Sequence, residues 1–184
     1  MQIDRCRARC GPPCFPLGMT FRVRPAVLAD VPGILDIYNH AVLHTTATYD
    51  LEPVSLDSRL SWFSARQQSG FPVLVAEGEG AEVLGFASYG PFREKAGYAA
   101  TVEHSVYVRE GHQGAGLGRA LMTPLIAAAR EQGLHVMLGG IDADNAGSLA
   151  FHRRLGFEEV AHFRQVGRKF GRWLDVVFMQ LTLD

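Results

Sequence analysis

Cysteine leaves this sequence early. Of 184 residues three are cysteine, Cys6, Cys10 and Cys14, and none follows. A disulfide framework is excluded over the rest of the chain, and this usage suits a reducing compartment. Three thiols with no histidine beside them make a poor closed zinc site. Net charge is also scarce: 18 Lys and Arg face 19 Asp and Glu. The total charge therefore points to neither a nucleic-acid nor an anionic-membrane partner. No apolar run approaches the roughly 20 residues that span a bilayer. Residues 1–18, rich in Arg and Pro, lack the apolar stretch of a signal peptide.

What is present is the balance of a globular protein, 47% hydrophobic and 20% charged. We expect a cytoplasmic protein with one domain over 19–184. Residues 1–18 are expected to be a disordered leader, with Met19 an alternative start.

Phe21–Arg24 alternates as a strand does. Asp30 and Pro32 mark a helix start, continued by Ile34, Ile37, Tyr38 and Ala41 at helical spacing. Ser55 or Asp57 opens a second helix carrying Leu60, Trp62 and Phe63, which Gly70 ends. Phe71–Glu77 and Glu82–Gly90 read as a hairpin around Gly78–Ala81. A polar loop, Pro91–Gly97, leads to a long strand, Tyr98–Val108. A glycine-rich segment then opens into a helix over Leu117–Gln132, followed by a strand over His135–Ile141. Asn145 or Ser148 starts a last helix that stops at Gly156. Phe157–Val166 and Trp173–Leu183 close the domain around a Gly167–Arg172 turn. This order predicts a mixed α/β sheet flanked by helices.

The strongest local signal is Gln113-Gly114-Ala115-Gly116-Leu117-Gly118, between a strand and a helix. Glycines let main chain approach a ligand, and a helix start offers free N–H groups and a positive dipole end. Together they suit a pyrophosphate. A P-loop would need Gly-Lys-Ser/Thr at its end, but Arg119-Ala120 follows Gly118. A dinucleotide fingerprint would sit in the first βαβ unit with a later third glycine. A coenzyme A loop and a plain glycine turn both remain open on this segment alone.

From Phe21 to its end the sequence resembles the GNAT acetyltransferases. Gln113, Gly116 and Gly118 fit that family's Gln/Arg-x-x-Gly-x-Gly/Ala loop, and Asn145-Ala-Gly-Ser-Leu-Ala-Phe-His-Arg-Arg-Leu-Gly-Phe157 looks like its second block. Thr101–Val108 and Val166–Val176 are similar to the phosphinothricin acetyltransferase branch. That branch acetylates the α-amine of phosphinothricin and, in relatives, of methionine sulfoximine or methionine sulfone. The resemblance implies the GNAT fold, a mixed, mostly antiparallel seven-stranded sheet flanked by helices. It also implies acetyl-CoA as co-substrate, no metal, and a homodimer. Rival expectations are acetylation of a protein or peptide amine, and a coenzyme-A-binding module without catalysis.

The residue roles follow from the same resemblance. Backbone groups of Val106, Tyr107 and Val108 would pair with the pantetheine arm as an added strand does. Gln113, Gly114, Ala115, Gly116, Leu117, Gly118 and Arg119 would hold the diphosphate, with Asn145 and Ser148 on the coenzyme arm. Glu103 is the candidate general base for the amine. Strict alternation sends His104 to the opposite face, as a packed histidine or second-choice base. His152 stands where many members carry an acidic tyrosine: it serves as the acid, the thiolate leaves unaided, or the histidine is structural. Arg93, with Glu94 and Lys95, is expected at the substrate's carboxylate or side-chain oxygens. Thr45–Tyr49 is expected at the substrate mouth. His40 and His44, four apart, lack a third metal ligand. Trp173 and Asp175, in the Val166–Val176 block, are expected to shape the substrate pocket or a dimer contact, with plain core packing by Trp173 as the simplest reading. With no cysteine inside the domain a cysteine acyl-enzyme is excluded, so the amine attacks directly in a ternary complex.

Overall fold

A computed structural model describes residues 20–183. The expected leader with Cys6, Cys10 and Cys14, and Met19, lie outside the described residues. In chain order the elements are β1 (Phe21–Pro25), α1 (Val31–His44), α2 (Leu56–Gln68), β2 (Val73–Gly78), β3 (Val83–Pro91), β4 (Thr101–Val108), α3 (Leu117–Glu131), β5 (Val136–Asp142), α4 (Ala146–Arg154), β6 (Glu158–Lys169) and β7 (Arg172–Thr182). The strands form one seven-stranded sheet in the order β1-β2-β3-β4-β5-β7-β6. Every pairing is antiparallel except β4–β5, which is parallel.

Apolar side chains cover both faces. On one, Leu121, Met122 and Leu125 of α3 bury against Tyr89, Met137 and Met179. On the other, Ile34, Ile37 and Phe63 of α1 and α2 bury against Val75 and Phe86. Each such side chain contributes about 1.5–3 kcal/mol by leaving water. Ser55 caps α2 by accepting the Ser58 N–H at 3.2 Å, and Gly70 ends it at φ 71°. Asp30 departs from its expected role as helix cap. Its carboxylate accepts the Val27 N–H at 2.7 Å and two bonds from the Arg24 guanidinium at 2.7 and 2.8 Å.

Two boundaries differ most from the sequence reading. β4 starts at Thr101 because Ala96–Tyr98 winds into a single 3-10 turn, its Tyr98 N–H on the Lys95 carbonyl at 2.9 Å. The last hairpin turns tightly at Phe170 and Gly171, with φ 51° and 76°, so β6 runs on to Lys169. Two positive φ values in a two-residue loop match the twist of paired strands. Gly167, expected to open the turn, lies inside β6, where any Cβ would overlap the Tyr49 ring. Trp173 is 58% exposed, which overturns the expectation of core packing.

Candidate active site

β4 is paired along its length to β3, from Pro91–Val102 to Gly85–Val108. Its pairing to β5 stops after three residues, at Glu103–Leu138. Beyond Glu103 the two strands part, and the β5-facing edge of Ser105–Val108 is left without a strand partner. This splay covers Val106, Tyr107 and Val108. Because strand side chains alternate, β4 serves two different spaces. Val106 and Val108 pack toward the α3–α4 side, while Tyr107 packs toward α1 and α2.

On the α3–α4 side lies a cleft of about 600 Å³, lined among others by Val106, Val108, Gln113, Gly116, Asn145 and Ser148. Gly114 and Gly116 adopt φ 81° and 83°, a region open to glycine at little cost. Gly116 is the helix cap and brings no side chain to the first turn of α3. The first intrahelical bond is Ala120 N–H to the Gly116 carbonyl, 3.0 Å, so the amides of Leu117, Gly118 and Arg119 precede the ladder. A Cβ at Gly118 would stand 3.2 Å from the Phe151 ring, so α3 and α4 approach closely at the cleft. Gly114, Leu117, Gly118 and Arg119 line the cleft as expected, and Ala115 shapes the loop without lining it. His112 and Arg154, which the sequence reading did not single out, add basic groups. Bare glycine backbone, free helix-start amides and basic side chains fit a diphosphate with a long arm.

On the α1–α2 side Glu103 opens onto a second cavity of about 390 Å³, shared with Tyr38, Asp50, Arg59, Arg66 and Tyr107. Burial raises the Glu103 carboxyl above its ordinary value, and the nearby Arg93 charge lowers it in part. Arg93 itself is exposed, its guanidinium 4.9 Å from the Phe92 ring centre. Glu94 and Lys95 are exposed as well, and none of the three lines this cavity. Of the segment Thr45–Tyr49, Thr48 lines it, next to Asp50. Lys169 fixes that loop by donating to the Thr48 carbonyl at 2.7 Å.

The two spaces meet in the splay. A small cavity of about 70 Å³ is lined by Ser105 and Tyr107 from one side and Val106, Asn145, Ser148 and His152 from the other. Gly139 and Gly140 of β5 also border it. A Cβ at Gly139 would stand 2.7 Å from His104 Nε2, and one at Gly140 3.4 Å from Glu103 Oε1. The sequence reading missed this glycine pair, whose signal was two adjacent glycines inside an apolar strand.

Asn145 caps α4, its Oδ1 accepting the Ser148 N–H at 2.9 Å. His152, 2% exposed, sits one turn on, with Nδ1 2.8 Å from the Ser148 carbonyl oxygen. His104 is buried on the same side, as alternation required, and stacks on His152 with ring centres 5.1 Å apart. Neither His104 nitrogen has a hydrogen-bond partner among the described residues. Burial, with His152 beside it, pushes His104 down to about 3. His40 and His44 lie 4.7 Å apart, and His40 meets Glu110 at 2.8 Å.

Residues 34–157 match the family model described as acetyltransferase (GNAT) family. The L-methionine sulfoximine/L-methionine sulfone acetyltransferase of Pseudomonas paraeruginosa is 55% identical, covering 90% of this chain and 96% of its own. The phosphinothricin N-acetyltransferase of Streptomyces coelicolor is 39% identical over 88% of this chain and 96% of its own. The solved structure of yncA from Salmonella typhimurium, with its cofactor acetyl-CoA, superposes with a TM-score of 0.87 at 53% identity, covering 89% of this chain and 94% of that one.

Proposed function

The chain belongs to the acetyltransferase (GNAT) family, and we propose that it moves the acetyl group of acetyl-CoA onto the α-amine of a small amino acid. Methionine sulfone, methionine sulfoximine and phosphinothricin are the preferred acceptors. One observation carries the reading: a strand whose alternate side chains serve a glycine-lined cleft and a carboxylate-bearing cavity, joined where the sheet parts.

When bound, acetyl-CoA supplies an activated thioester. The glycine loop, the first amides of α3 and Arg119 hold its diphosphate, and Asn145 and Ser148 border its arm. Free backbone groups of Val106, Tyr107 and Val108 orient the arm along β4 and offer N–H donors to the acetyl oxygen. Glu103 takes the proton that the ammonium must lose. Its raised pKa makes it a stronger base than an exposed carboxylate. His152 moves a second proton. Its Nδ1 donates to the Ser148 carbonyl, so in the neutral ring Nε2 is bare. That nitrogen accepts the proton released as the amide bond forms, then returns it to the departing sulfur.

The reading includes action in the cytoplasm as a homodimer, without a nucleic-acid or membrane partner. Exposed Phe163, Val166 and Trp173 on the β6–β7 hairpin support the homodimer. Light scattering on the purified chain tests it.

The deciding experiment follows thiol release with acetyl-CoA across free amino acids, their sulfone and sulfoximine analogues, phosphinothricin, and a peptide with a free N-terminal alanine. Turnover of the free amino acids above the peptide is the expected result. Acetylation of the peptide alone would replace the substrate class, and binding of acetyl-CoA with no turnover of any amine would reduce the chain to a binding module.

A further inference from the structure

The cavity that holds Glu103 also holds a buried cation. Arg59 of α2 is 6% exposed. Its guanidinium carbon lies 3.8 Å from the Tyr38 ring centre and 4.8 Å from that of Trp62. No carboxylate forms an ion pair with it among the described residues, and its Nε has no hydrogen-bond partner. The Asp50 carboxylate, which borders the cavity, accepts the Tyr38 hydroxyl at 2.6 Å instead. The arginine of β1 shows the contrast: Arg24 is held by Asp30 and Glu77, each at 2.7 Å.

An arginine cannot shed its proton to escape burial. A desolvated guanidinium without an ion-pair partner is costly, and burial disfavours its charged form here, offset in part by the Asp50 charge at the cavity border. The aromatic contacts hold the plane of the group and leave its Nε without a partner, on the edge whose fork fits a carboxylate with two bonds. Arg66, seven residues on, also lines the cavity, but it is only half-buried and lies farther from the Trp62 ring, at 5.9 Å; its Nε likewise lacks a hydrogen-bond partner. Arg93, expected at the substrate's carboxylate, is exposed and outside the cavity lining.

We propose that Arg59 selects for amines that carry a carboxylate: its guanidinium takes the α-carboxylate of the acceptor while Glu103, in the same cavity, takes the ammonium. This rests on the amino-acid acetylation proposed above. A zwitterion neutralises both groups at once, and an amine without the carboxylate leaves Arg59 desolvated and without an ion-pair partner. Rejection of such an analogue is then set by the unpaired donor rather than by shape.

The test compares methionine sulfone, its carboxamide and 3-(methylsulfonyl)propylamine as acceptors, for the wild type and for R59M, R59K, R66Q and R93Q. The wild type prefers the free acid by about 10²-fold or more in kcat/KM. R59M brings that preference below about 10-fold, mainly by raising KM for the acid, with acetyl-CoA affinity by calorimetry unchanged. R59K recovers part of it, and R66Q and R93Q keep it. Replacing an uncompensated buried charge by an apolar side chain also keeps the Tm of the ligand-free protein or raises it by about 2–4 °C. A preference retained in R59M, an equal loss with all acceptors, or a clear fall in Tm would each assign Arg59 to packing and overturn the proposal. A wild type that acetylates all three acceptors equally removes Arg59's role and leaves the acetyltransferase reading standing. A wild type that acetylates no amine ends both.

Discussion

The Nδ1 of His152 lies 2.8 Å from the carbonyl oxygen of Ser148, one turn earlier in α4. A carbonyl only accepts, so Nδ1 must carry the hydrogen. Burial lowers the His152 pKa and keeps the ring neutral, so the second nitrogen bears a lone pair. The histidine therefore cannot open the reaction as a ready acid. Nitrogen-15 spectra at pH 7 are expected to give Nδ1 as the protonated atom and Nε2 as the bare one. His152→Ala lowers kcat about 10²-fold while the Kd for acetyl-CoA holds. The opposite tautomer would make His152 a donor at the outset and remove its role as the acceptor of the amine proton.

Glu103→Gln removes the proposed base. We expect kcat/KM to fall about 10²–10³-fold. The acidic limb of the wild-type profile lies above the ordinary carboxylate value of 4.5 and disappears in the variant. Stability moves the other way. A carboxyl raised in the folded state carries no penalty below its unfolded value, and the penalty grows as pH rises through the folded one. E103Q therefore melts higher than the wild type near neutrality, and the gap closes below about pH 4.5. A wild-type rate in E103Q would remove this carboxylate from the chemistry.

Gly139→Ala places a methyl group 2.7 Å from His104 Nε2. The His104 ring is held by His152 and Phe157, so the strain falls on the sheet. Urea denaturation is expected to record a loss of about 1–3 kcal/mol. Gly140→Ala, at 3.4 Å from Glu103 Oε1, is expected to lower turnover more than stability. If G139A melts as the wild type does, the packing described around His104 is wrong.

His104→Asn tests the acid response. With its folded value near 3 against 6.5 unfolded, His104 binds its proton more readily in the unfolded chain. Stability is therefore lost as pH falls from about 6.5 toward 3. Tm against pH is expected to be flatter in H104N over that window. Parallel slopes would mean that His104 titrates alike in both states.

Much of this arrangement is legible in the sequence because it is local. Period-two runs locate the strands, period 3.6 locates α1 and α3, and the cluster at Gly114–Gly118 marks the cleft. Glu103 and His104 fall on opposite faces by alternation alone. Sheet order is not local, and neither is the neighbourhood of α2. Arg59, Phe63 and Arg66 recur at helical spacing on one face, so two charges interrupt an apolar stripe. That interruption was the signal for the second cavity, but only the packing of α2 against α1, β2 and Phe86 of β3 says that the stripe is buried. The last hairpin misleads in the other direction. Gly167 reads as a breaker, yet it is glycine because the Tyr49 ring lies against it.

The shared role of β4 carries a cost for any change of chain length. Deleting or inserting one residue between Thr101 and Glu103 would invert the rest of the strand relative to its neighbours. The carboxylate would turn toward the glycine-lined cleft, and valines would face the second cavity. Both halves of the reaction would be lost together, with no half-functional form between. Point substitutions can tune either chamber alone, but the spacing of this one segment must pass unaltered from ancestor to descendant.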